Sequence, residues 1–165
     1  MILNAKKKIA IALIAVFACG AAIVVYAYFA GADKRAIEKT IENVRTGVRN
    51  ADPNLVLAQI SSNYNYDGYD YKMLETSVPQ VLKRYTALDI NLSNMEIRIE
   101  DGHKQAHATF HFVIMLSVRQ VMGVTIEGEI ALSGDADLTL AKESGEWKIT
   151  EVSARDKSGM KIRLP

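Results

Sequence analysis

Three histidines, His103, His107 and His111, recur every four residues, a spacing that on a helix would aim them at a single metal ion. The alternation Phe110-x-Phe112-x-Ile114 instead demands a strand, on which four residues span about 13 Å at ~3.3 Å each. Metal–nitrogen bonds of about 2.1 Å cannot close that distance, so the three are expected as outward, solvated side chains, with no metal or other cofactor. Asn63-x-Asn65-x-Asp67-Gly68 copies the opening of a calcium loop, but Leu74 stands where the bidentate glutamate belongs. A lone carboxylate among those side-chain positions holds calcium poorly, and an Asn/Asp/Gly turn is expected instead. No Ser-His-Asp spacing, reactive cysteine or glycine-rich phosphate loop supplies a catalytic set.

The strongest address signal is the uncharged run Ile9–Ala30, 22 residues that as a helix would reach about 33 Å, enough for a hydrocarbon core of ~30 Å. Lys6, Lys7 and Lys8 precede it, and Tyr26, Tyr28 and Phe29 lie at its far end. Charge inside and aromatic rings at the interface predict a single span with residues 1–8 cytoplasmic and the rest exported. Ala30-Gly31-Ala32 is also an A-x-A-like cleavage site, and cutting after Ala32 would release a secreted protein. A signal-peptide core is usually about 7–15 residues, which favours the anchor. Bulky Phe17 and the apolar residues after Cys19 argue against a lipidated cysteine.

Beyond the span lie about 133 residues, one ordinary domain. Of the 20 Lys and Arg, three precede the span, leaving 17 against 19 Asp and Glu and a net charge of −2. That balance offers no face for nucleic acid. With no cysteine in it, the domain must be held by packing.

Asp33 is expected to cap a helix over Lys34–Asn50 whose stripe is Ile37, Ile41, Val44 and Val48. Asp52-Pro53 restarts a short helix, and Asp70 caps a third over Tyr71–Leu88, bent at Pro79. The period then becomes two. Met95, Ile97 and Ile99 lead to the Asp101-Gly102 turn. Gln105–Arg119 forms a long strand with Ala106, Ala108, Phe110, Phe112, Ile114, Leu116 and Val118 inward. A turn near Gly123 returns the chain through Val124–Ala141, with bulges expected at Gly128 and Ser133-Gly134-Asp135. Glu143-Ser144-Gly145-Glu146 closes a hairpin into Trp147–Val152, with Trp147 and Ile149 inward. The fold class is α+β: after the transmembrane helix, three helices pack on a curved antiparallel sheet of about four strands.

The first helix and Asp52-Pro53, Tyr64–Gly68, Leu82–Tyr85, Met95–Ile99 with Asp101-Gly102-His-Lys-Gln-Ala106, and Leu140–Ile149 together resemble the nuclear-transport-factor-2-like superfamily. This is a cystatin-like α+β cone shared with ketosteroid isomerases and polyketide cyclases. The resemblance spans residues 33–155, with 156–165 a tail. It implies a cone whose mouth would be lined by Tyr64, Tyr66, Asp67 and Tyr85, with room left by Ala106, Ala108, Gly128 and Gly134. Proton-transfer chemistry there would need a buried acid or base beside an oxyanion donor, and the inward strand positions offer none.

On the outward face, pairing Gln120 with Val124 would set Val113 against Ala131, Met115 against Glu129 and Ser117 against Glu127. An apolar centre of Val113, Met115 and Ala131 inside a rim including Glu96, Arg98, His111, Glu127 and Glu129 suits a protein partner or a second copy. The expectation is therefore a membrane-anchored, extracytoplasmic, non-enzymatic interaction domain, self-associating through this face. The alternatives are a small-ligand carrier using the cone, or an isomerase or lyase of the same fold. A filled cone would leave the interaction reading, and a roomy one would favour a ligand.

Overall fold

The computed structural model describes residues 31–100, 102–118 and 129–156. The expected span at Ile9–Ala30, its basic flank, Gly128, Glu127 and the tail beyond Asp156 lie outside them. Among the described residues no helix is long and apolar enough to cross a membrane.

Helix α1 covers residues 31–49, and the predicted stripe is its buried face, with Ile37 and Ile41 at the centre of the core. Its last turns meet helix α2, Pro53–Leu57, at Gly47, where a Cβ would come within 2.7 Å of Val56 Cγ2. Asp52 caps α2 by accepting from the backbone N–H of Asn54 and Leu55 at 3.0 and 3.1 Å, and Pro53 takes the first turn. The Asn/Asp/Gly turn is a small hairpin of β1, Asn65–Tyr66, and β2, Tyr69–Asp70. Asp67 (φ 52) and Gly68 (φ 87) are both left-handed, as a two-residue hairpin turn of this hand requires. Asp70 then caps α3, Tyr71–Arg84, by accepting from Met73 N–H at 2.9 Å.

The helix predicted to reach Leu88 ends at Arg84, and Tyr85 opens strand β3, Tyr85–Ile99, opposite Val118. The apolar residues through Leu88 fit either period, and pairing with the next strand decides the outcome. Strands β4, Gln105–Val118, β5, Glu129–Glu143, and β6, Glu146–Asp156, complete a four-stranded antiparallel meander in chain order. Ile37 and Ile41 rest on Ala106, Ala108, Leu138, Leu140, Trp147 and Ile149. The two alanines present nothing beyond Cβ, so α1 lies close to the sheet at this end.

Two phase slips bend the sheet. In β3 the inward residues are Ile90 and Leu92 before a bulge between Ser93 and Glu96, and Ile97 and Ile99 after it, with Asn94 left-handed at φ 53. In β6 the inward residues change from Trp147 and Ile149 to Val152 across a slip facing Thr139 and Leu140. Ile149 stays opposite Leu140 of β5 and turns its backbone groups to the segment after α2: its N–H donates to Gln59 O at 2.9 Å and its carbonyl accepts from Ser61 N–H at 2.8 Å.

The bulge expected at Ser133-Gly134-Asp135 is absent, since those residues pair in unbroken register with Val113, Phe112 and His111. Gly134 answers a different need, close approach of β6. The β4–β5 register also differs by two: Val113 faces Ser133, Met115 faces Ala131 and Ser117 faces Glu129. A shift of two preserves which face each side chain takes, so the alternation was readable and the partners were not.

Asp33 is no cap. It lies within α1, 6% exposed, and its carboxylate accepts from Lys142 Nζ at 2.6 Å and Trp147 Nε1 at 3.1 Å. His103 Nδ1 lies 2.8 Å from the other oxygen, so this histidine is half-buried and not the outward side chain expected. The Gly102-His103 turn, left-handed at φ 90 and 54, precedes the alternating strand and turns the ring toward α1. Burial raises the Asp33 pKa, but hydrogen bonds from Lys142, Trp147 and His103, with the Lys142 charge, outweigh it and hold the group below the usual aspartate value.

A candidate ligand cavity in the cone

The alanine-floored end of the cone is filled, and the other end is not. A cavity of about 300 Å³ lies between the inner sheet face and the second half of α1. Its far wall is a cross-strand row, Ile90, Ile114 and Leu132, followed inward by Leu92, Phe112 and Phe110. Ala136 and Ala154 are small enough on β5 and β6 to leave space, and Ile41 and Val44 close the helix side. Leu132 faces inward yet is 39% exposed, which marks this row as the opening.

Arg45 supplies the one charged side chain among the described lining residues. Its Nε–H donates to Ile90 O at 2.7 Å, so the guanidinium is held on the β3 backbone and the side chain offers the cavity only its alkyl stem. Nη1 also reaches Glu42 Oε2 at 3.2 Å, a pair with Glu42 largely in solvent. Arg45 is outside the predicted stripe of Ile37, Ile41, Val44 and Val48. The signal was present: Arg45 follows Ile41 by four residues and so shares the flank of the apolar stripe.

Of the four residues expected at a pocket mouth, Tyr64, Tyr66 and Asp67 are not among the described lining residues, and the Tyr85 side chain lies outside what the structure describes. Tyr64 is buried beside β6, with its phenol oxygen bonded to the Val152 backbone and its pKa raised chiefly by burial. Tyr66 and Asp67 belong to the small hairpin, with Asp67 exposed at its tip, and Tyr85 is the first residue of β3. The cavity therefore presents hydrocarbon and aromatic faces, with no carboxylate or imidazole in the described lining to move a proton.

On the outer face, Met115 (37% exposed) stands beside exposed Ala131, with Val113 half-buried two residues along. His107 and His111 do point outward, and each is held by a carboxylate: Glu100 at 2.9 Å and Asp135 at 3.0 Å. Glu96 and Arg98 are exposed on β3, beyond the slip. Glu127 lies outside the described residues, and Glu129 opens β5 opposite Ser117. Among the described residues no group of His, Cys, Asp and Glu is placed to share a metal ion.

No protein-family model matches the sequence, and no curated protein matches it. Solved structures match by shape. A candidate scytalone dehydratase from Novosphingobium aromaticivorans superposes with a TM-score of 0.68 at 14% identity, over 81% of this chain and 90% of that one. A nuclear-transport-factor-2-like superfamily protein from Salmonella enterica gives 0.64 at 16% identity, over 77% and 92%. A nuclear-transport-factor-2-like protein with a cystatin-like fold, also from N. aromaticivorans, gives 0.63 at 11%, over 83% and 90%. At such identities the likeness is one of fold: this chain carries the nuclear-transport-factor-2-like, cystatin-like cone.

Proposed function

We propose that the domain is a carrier of small apolar ligands, held in the cone. The observation that supports it is the open, apolar cavity of about 300 Å³, which lies within the usual range of ~300–1,000 Å³ for ligand sites. The candidate dehydratase among the structural neighbours makes proton-transfer chemistry the natural rival. The described lining here lacks the acid and base such chemistry needs, which favours binding over turnover. The 22-residue apolar run Ile9–Ala30 supports holding the carrier at a membrane with the domain outside.

Straight-chain alcohols test this directly. Each buried methylene contributes about 0.8 kcal/mol, so affinity should climb about fourfold per carbon from hexanol to octanol. Ala136→Leu adds three carbons inside the cavity and should abolish binding while leaving thermal stability equal or higher. Calorimetry showing no chain-length dependence, or full binding by Ala136→Leu, would sink the carrier reading.

A second reading keeps the outer sheet face as a contact between copies, favoured by exposed Met115 directly opposite exposed Ala131. Sedimentation should then show a dimer that Met115→Glu converts to monomer. A concentration-independent monomer in the parent protein would remove it.

A further inference from the structure

Resting on the cone as a ligand site, we infer that the ligand is a slender, unbranched chain with one polar end, taken in tail first so that the polar end stays at the Leu132 row. Shape supplies the chain. The described lining follows inward positions of β4, Phe110, Phe112 and Ile114, and of β5 from Leu132 to Leu138. At ~3.3 Å per residue those stretches are about 13 and about 20 Å long. Spread over such lengths, 300 Å³ is a mean cross-section of about 15–23 Å². Carbon atoms pack about 4 Å apart, so this space takes one chain and neither two abreast nor a branched skeleton.

Chemistry supplies the orientation. No polar atom faces the cavity in the described lining, and Arg45 lends it only methylene groups. Buried Leu138 and Ile149 close the inner end. A hydroxyl or carboxylate carried there would lose its water and gain no partner, so that end takes hydrocarbon alone. At the other end Leu132 faces inward yet is exposed, and a polar group beside it keeps its water. Volume limits the length. Liquid water occupies about 30 Å³ per molecule, so ~300 Å³ corresponds to about ten heavy atoms, one medium chain and not a two-tailed lipid.

The test compares 1-octanol with 1,8-octanediol and cyclooctanol by calorimetry on the full chain, taking the heat left in Ala136→Leu as background partitioning. Octanol should bind about tenfold more tightly than the diol, whose second hydroxyl must enter the dry end, and about tenfold more tightly than the ring. Affinity along the alcohol series should level off near nonanol, at about ten heavy atoms. Leu132→Lys sets a cation beside the polar end and should tighten octanoate about tenfold over the parent protein, with octanol unchanged. If octanol binds and the diol or the ring matches it, or Leu132→Lys binds octanol as before without tightening octanoate, the tail-first chain is overturned while the carrier reading stands. If Leu132→Lys loses octanol, the diol and ring comparison in the parent protein decides. If octanol does not bind the parent protein, the cone reading fails and takes this inference with it.

Discussion

Gly134→Ala is expected to cost about 3 kcal/mol or more and to lower the melting temperature by roughly 10 °C. The cause is space. A Cβ at Gly134 would land on the carbonyl oxygen of Arg155, with Asp156 Cα only 3.2 Å away. Both obstacles are backbone, so no rotamer change relieves them. The strand itself must move. Gly134 lies in the row joining Phe112 to Asp156, one step from Ala136 and its partner Ala154. Those two alanines line the cavity, so a displaced end of β6 should also weaken binding of octanol. Gly145→Ala is the control. Its Cβ would meet open space, and only the left-handed φ of 90° is strained, so about 1–2 kcal/mol is expected with ligand binding intact. Equal losses at the two glycines, read from denaturant midpoints, would show that Gly134 is not a packing constraint.

That glycine also shows where sequence reasoning stops. Gly134 was readable as special, and the bulge assigned to it was the wrong device, because only the fold brings Arg155 across it. Inward and outward faces were legible wherever apolar residues alternate: Ala106, Ala108, Phe112, Trp147 and Ile149 are buried as expected. The slip in β3 was written in the change from Ile90 and Leu92 to Ile97 and Ile99, with Asn94 at the joint. Strand partners were less legible, since a shift of two residues changes no side chain's face. The cavity was not legible at all. Its walls are the same alternating apolar residues that fill the core, and whether α1 lies down on them depends on the alanines at one end.

Asp33→Asn should be the other costly change, about 2–3 kcal/mol at neutral pH, and its cost should depend on pH. The carboxylate ties α1 to the turn before β4 through His103, to β5 through Lys142 and to β6 through Trp147. Lys142 also lies 5.7 Å from the Trp147 ring, and Thr40 of α1 donates to Trp147 O at 3.1 Å, so the junction is shared by several groups. When the charge is removed, Lys142 can turn to water because its side chain is 33% exposed. Trp147 is 2% exposed and has no such recourse, so its N–H depends on whatever the asparagine oxygen still offers. The folded Asp33 pKa is below its unfolded value of about 3.9, so the stabilisation is complete above that value. It is lost as pH falls through the ordinary aspartate range toward the depressed folded pKa. The gap between parent and Asp33→Asn should accordingly be full at about pH 5 and shrink below about pH 4. Glu146, held low by the hydrogen bond and charge of Lys148, titrates in both proteins and cancels in the difference. Urea midpoints measured across that range decide the matter: a gap that persists undiminished into acid would mean the site needs the shape of Asp33 and not its charge.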